Sequence, residues 1–105
     1  MPNSRSPLHL CCLLWAHEGE AEALTRYEDT VLGLLPEHDG VVLSRVIGDG
    51  HDGTPHEVQV LRVADRSALD AYLADPRRTA LARERDRVIA RTDVFDVDVR
   101  TGDTG

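Results

Sequence analysis

The sequence has no lysine; all twelve of its basic residues are arginine. That bias reads as the codon usage of a high-GC genome rather than a demand for guanidinium chemistry. Aromatic residues are nearly as scarce, with Trp15, Tyr27, Tyr72 and Phe95 making up the whole set, so a core must be built from Val, Leu, Ile and Ala. Positive charge is outweighed, giving a formal net charge of −7. This excludes general nucleic-acid binding, which needs a basic surface to neutralise phosphates, and it excludes attraction to an anionic membrane surface. The only cysteines, Cys11 and Cys12, are adjacent. On a strand they point to opposite faces, so they neither share a metal nor readily form a disulfide. Two buried thiols in a reducing, cytoplasmic compartment are expected.

No apolar run approaches the length of a transmembrane span. Arg5 followed by Pro7 to Ala16 has a faint look of a leader peptide. However, His9 interrupts the run, and no small-residue cleavage pattern precedes His17-Glu18-Gly19-Glu20, so it reads as a strand. A Gly-rich phosphate loop, a nucleophile elbow and a dinucleotide fingerprint are all missing, and no cofactor is expected. His51 and His56, with Asp49 and Asp52, fit no established metal-ligand spacing. They read as a solvated loop, and no metal is expected.

What is present is a regular alternation of elements. Leu8 to Trp15 is a continuous apolar strand. Gly19 to Leu35 is a helix with Leu24, Tyr27, Val31, Leu34 and Leu35 on one stripe, Glu18, Glu20 and Glu22 near its positive end, and Pro36 and Asp39-Gly40 as stop signals. Val41 to Ile47 and His56 to Val63 are strands joined across a Gly- and Asp-rich turn. Asp65 caps a helix over Arg66 to Ala74. Asp75-Pro76 restarts it to about Arg91, with Leu81, Val88 and Ile89 inward. Asp93 to Arg100 alternates as a last strand.

The order β-α-β-β-α-β is that of a ferredoxin-like α+β fold, a four-stranded antiparallel sheet with two helices on one face. The 105 residues make one domain by size, spanning 8–100 between flexible tails at 1–7 and 101–105. In the first strand both phases are apolar: Leu8, Leu10, Cys12 and Leu14 on one side, His9, Cys11, Leu13 and Trp15 on the other. The second strand repeats this, with Val41, Leu43 and Ile47 on one face and Val42 and Val46 on the other. An apolar face opposite the helices is an interaction surface, and its simplest cover is the same face of a second copy. The chain is therefore expected to pair as a homodimer.

Several stretches between Tyr27 and Val97 carry a family resemblance: Leu34-Leu35-Pro36-Glu37-His38-Asp39-Gly40, Leu43-Ser44-Arg45, Glu57-Val58-Gln59-Val60-Leu61, Ala71-Tyr72-Leu73-Ala74-Asp75-Pro76, and Arg85. In order and spacing they resemble the dimeric α/β barrel superfamily. Within it the look is of a small bacterial family of unknown function related to the antibiotic-biosynthesis monooxygenases. The chain departs from that family at Asp39-Gly40-Val41, where Gly-Gly precedes an Arg, and at Arg78, where an aromatic is usual. The resemblance implies a dimeric barrel whose members include cofactor-free monooxygenases, haem-degrading enzymes, isomerases and proteins without known activity, so it leaves open whether this chain is an enzyme.

Four residues are candidates for a small-molecule site. His9 and Trp15 share the face assigned to the barrel interior, where an imidazole moves protons and an indole stacks on a flat molecule. Arg45 lies among apolar residues and needs an anion, either a ligand oxygen held beside His9, or a carboxylate in a structural ion pair: Glu57 on the paired strand, or Asp96 or Asp98 of a second copy. Arg85 leans toward the core from the second helix, to reach a ligand or a salt-bridge partner. Arg77, Arg78, Arg83, Arg85, Arg87 and Arg91 make that helix basic. The third strand lacks the aromatics on which ferredoxin-like RNA binders stack bases, so these arginines read as a solvated face. The leading expectation is cofactor-free oxidation or isomerisation of a small organic molecule, with His9 and Arg45 catalytic and Trp15 and Arg85 ligand-binding. The competing one is a non-catalytic ligand-sensing or dimerisation module.

Overall fold

The computed structural model describes residues 7–100. Apart from Pro7, the expected tails lie outside the described residues. The strands are β1 (Leu8–Ala16), β2 (Gly40–Ile47), β3 (Glu57–Val63) and β4 (Ile89–Asp96). They form one four-stranded sheet in the order β2-β3-β1-β4, antiparallel throughout. The helices are α1 (Ala21–Leu32), α2 (Arg66–Leu73), α3 (Pro76–Thr79) and α4 (Ala82–Val88). This is the ferredoxin-like α+β fold, with β1 in the centre and its buried face against the helices. No helix among the described residues is long and apolar enough to cross a membrane.

Local sequence explains each boundary. Helix α1 is held by one stripe, with Ala23, Leu24, Tyr27, Glu28, Val31 and Leu32 buried. It stops three residues before the expected end, and Leu35–His38 form a separate 3-10 turn because Pro36 cannot donate to the preceding turn. That turn ends at Asp39 in the left-handed region, φ 59°, a conformation Asp tolerates. Gly40 follows under the buried Leu35; a Cβ there would meet Leu35 Cγ at 2.7 Å, so only glycine lets β2 start so close to the turn. The Asp65 carboxylate accepts from Ala68 N–H at 2.9 Å and starts α2. The Asp75 carboxylate accepts from Arg77 N–H at 2.8 Å and starts α3, with Pro76 at its first position.

Two expectations need correction. The restarted helix does not run unbroken to about Arg91: it breaks at Ala80-Leu81, and the last strand covers Ile89–Asp96 rather than the expected Asp93 to Arg100. In β2 the pairing with β3 shifts between Val42 and Ser44. The extra residue, Leu43, is a β-bulge, and it inverts the phase of the residues after it. Val41, Ser44 and Val46 therefore stand opposite Arg62, Val60 and Val58 on the open face. Val42, Arg45 and Ile47 stand opposite Leu61, Gln59 and Glu57 on the helix side.

The core between sheet and helices is aliphatic, as the shortage of aromatics requires. Leu10, Leu14, Leu24, Val31, Leu35, Leu61, Val63 and Val88 are all buried. The open face has no helix over it. Cys11, Leu13, Val58 and Val60 are half-buried there among their neighbours, while Val41, Leu43, Val46 and Phe95 are exposed. The two cysteines fall on opposite faces as expected, Cys12 buried under the helices and Cys11 half-buried on the open side; both are free.

Candidate functional site

A cavity of about 180 Å³ lies between the sheet and the helices. Its floor is the helix side of the sheet, including Leu10, Leu14, Leu61 and Thr92, and its roof comes from all four helices. Leu73 and Val94 line it as well and are respectively 44% and 54% exposed, so the opening lies between the end of α2 and the edge strand β4. An engineered apolar cavity of about 150 Å³ takes up benzene, so this one has room for a single substituted ring.

The polar groups around it form a connected chain. Glu57 is fully buried, and Arg45 grips it in a fork, Nε donating to Oε2 at 2.7 Å and Nη2 to Oε1 at 3.2 Å. Arg45 Nη1 also donates to the exposed Asp29 at 2.6 Å. The Gln59 side-chain amide donates to Glu57 Oε2 at 2.8 Å and to Glu28 Oε1 at 2.8 Å. Gln59 and Glu28 line the cavity. Burial raises the pKa of Glu28 above its ordinary 4.5, and the neighbouring Glu57 pushes the same way; the Gln59 hydrogen bond and the arginines at 78 and 45 oppose it. Glu28 is thus a stronger base than a surface carboxylate when ionised and a reluctant anion in its pocket.

The remaining polar groups divide into satisfied and unsatisfied. Tyr72 O–H donates to Val31 C=O at 2.9 Å, and burial raises its pKa. Burial pushes the Cys12 thiol up to about 12, which removes it as a thiolate nucleophile at neutral pH. The Arg78 guanidinium sits over the Tyr72 ring at 5.1 Å. Its Nε, and Thr92 Oγ1, are buried without a hydrogen-bond partner.

Of the partners the sequence offers Arg45, the structure shows Glu57. The bulge turns Arg45 to the helix side, while His9 pairs opposite Arg62 on the open face. Two strand spacings and three residues separate them, more than ~10 Å at ordinary sheet dimensions. The expected convergence of His9 and Arg45 on one reacting group does not occur, and Arg45 pairs with Glu57 instead. Trp15 shares the open face with His9, but its N–H donates to Gly53 C=O at 2.8 Å and its ring carries Arg91 at 4.4 Å. It fastens the β2–β3 loop and lies apart from the cavity. Of the four candidates only Arg85 lines the cavity, and it pairs with the exposed Asp86 at 3.6 Å. Glu28, Gln59 and Arg78 join the site from the structure alone. The sequence signal for Glu28 is its place inside the apolar stripe of α1, four residues after Leu24 and three before Val31.

No family model matches the chain, and no curated protein matches it. Solved structures do. PA3566 from Pseudomonas aeruginosa superposes with a TM-score of 0.72 at 20% identity, covering 95% of this chain and 100% of that one. An antibiotic biosynthesis monooxygenase-like protein from Bacteriodes thetaiotaomicron has a TM-score of 0.72 at 12% identity, covering 95% of both chains. SnoaB from Streptomyces nogalater, a cofactor-independent oxygenase, has a TM-score of 0.69 at 12% identity, covering 94% of this chain and 98% of its own. At these identities the likeness is one of fold.

The Arg45–Glu57 assignment has a direct consequence. Arg45→Leu leaves a buried carboxylate without its cation and costs about 3–5 kcal/mol of stability; adding Glu57→Leu recovers most of the loss. Urea unfolding of the three proteins measures both effects, and a single variant as stable as the parent would remove Arg45 from the structural role.

Proposed function

We propose that this chain binds a small organic molecule in the cavity between sheet and helices and converts it without a cofactor, by proton transfer at Glu28. The observation that carries this reading is a buried carboxyl with raised proton affinity, aimed by Gln59 into an apolar cavity that holds one ring. An ionised Glu28 takes a proton from an enolisable carbon or a ring hydroxyl and leaves the electron pair on the substrate. Return of the proton at another carbon isomerises the substrate. An electron-rich anion of this kind also reacts with dioxygen directly, the oxidant that a cofactor-independent oxygenase uses. The fold shared with SnoaB and the monooxygenase-like protein supports the class of chemistry. The two free cysteines fit a reducing, cytoplasmic setting.

The working unit in this proposal is a homodimer, with the open sheet face of one copy on that of the next. Val41, Leu43, Val46 and Phe95 are the exposed apolar side chains that such pairing covers. Light scattering on a sizing column is expected to give twice the 11.6 kDa chain mass, and Val46→Asp is expected to shift it to the monomer. A wild-type monomer at micromolar concentration contradicts the pairing.

The chemistry is tested with single-ring enolisable ketones in D2O followed by NMR, and with hydroquinones followed by oxygen uptake. Wild-type protein is expected to accelerate exchange or uptake, and Glu28→Gln to lose about 100-fold or more of that rate, the usual worth of a positioned base. Thermal stabilisation by the same compounds with no rate above buffer would favour the non-catalytic, ligand-sensing reading.

A further inference from the structure

We propose that Arg78 makes this cavity a receptor for an anion, and that its ligand is a single-ring organic acid or phenolate whose charged oxygen sits against Arg78 and Thr92. The inference rests on the reading that the cavity binds a small molecule, and adds the charge and size of what it takes.

Arg78 and Arg45 are both half-buried, but Arg45 is neutralised by Glu57 and Asp29. Among the described residues no carboxylate forms an ion pair with Arg78. Its close neighbour is Tyr72, whose ring steadies the cation and whose neutral hydroxyl leaves the charge uncancelled. The buried Nε–H is left unmade, and an orphaned donor on a charged group is costly. Thr92 Oγ1, from β4 on the opposite wall, is the second orphan, and both residues line the same cavity. Neither atom is open to solvent; a turn of the two side chains toward the cavity lets an oxyanion accept from the Arg78 guanidinium and from the Thr92 hydroxyl together.

The balance of charge agrees. Two guanidinium groups, Arg78 and Arg85, and one carboxyl, Glu28, line the cavity. Glu57, the other buried carboxylate nearby, is already matched by Arg45. Arg85 is likewise paired, with Asp86, so the cavity is net positive when Glu28 carries a proton, the form that burial favours. Away from this polar end the walls are Leu10, Leu14, Leu61 and Leu69, suited to the apolar edge of a ring. The volume of about 180 Å³ admits one ring with a small substituent and excludes a fused polycycle held wholly inside.

The test uses benzoate and its neutral isostere benzamide, titrated by calorimetry at neutral pH. Wild-type protein is expected to prefer benzoate by roughly 10- to 100-fold, the worth of charge-assisted hydrogen bonds in a partly desolvated site. Arg78→Gln is expected to bring the ratio near one, and Arg78→Lys to keep part of the preference. Because loss of the Tyr72 contact could unfold the variants, the Arg78 Nε–H resonance of the wild-type protein provides a second readout, expected to shift with benzoate and not with benzamide. Equal affinity for both probes overturns the anion assignment and leaves the cavity reading standing. A preference that survives Arg78→Gln but falls with Arg85→Gln overturns the role of Arg78. Binding of neither probe overturns this proposal and the cavity reading together.

Discussion

A buried glutamate is the constraint around which this side of the molecule is organised. Glu57 has no solvent exposure, and an isolated carboxylate in such a place is untenable. Arg45 and Gln59 between them occupy both of its oxygens. The bulge at Leu43 delivers the arginine: without the extra residue Arg45 would face the open side of the sheet, and Glu57 would be left with the amide alone. Gln59 then gives its second N–H to Glu28, so a structural ion pair at the sheet edge fixes the orientation of a carboxyl inside the cavity. Because an amide nitrogen donates and does not pass a proton on, the chain positions Glu28 and does not connect it to solvent.

The consequence is a division of labour between the two faces. The helix face carries the buried Glu28, Glu57 and Gln59 and the half-buried Arg78 and Thr92. The open face carries aliphatic side chains, His9, and Trp15 with its loop contact. A cavity between the helices and the middle of β1, β3 and β4 is then free to differ in polarity from one chain to another while the sheet stays the same, which fits a fold shared with a cofactor-independent oxygenase at only 12% identity.

The element order and the buried faces of β1 and α1 are legible in the sequence because burial imposes a simple period. Leu10, Cys12 and Leu14 lie on the helix side as their spacing requires, and Asp65 and Asp75 cap the helices they precede. Anything that depends on a single inserted residue is illegible. In β2 every position from Leu43 to Val46 is compatible with either phase until the pairing with β3 is known. Arg45 therefore fits beside His9 in one phase and against Glu57 in the other, and only the second forms. In β3, Val58 and Val60 look like the inward row of an alternating strand and Glu57 and Gln59 like the outward one. The true phase is set by Leu61 and Val63, which share the buried side with Glu57 and Gln59. Two polar residues pointing into the protein run against the usual alternation, and in this chain they hold Glu28 at the cavity wall.

The central claim is that Glu28 is a buried carboxyl with raised proton affinity, held by Gln59. A carbon-13 NMR titration of the Glu28 side-chain carboxyl measures this directly in the intact protein. The account predicts a midpoint above the ordinary 4.5, moving further up in Gln59→Leu, where the hydrogen bond that favours the charged form is lost. A midpoint at or below 4.5, unmoved by that substitution, would contradict it.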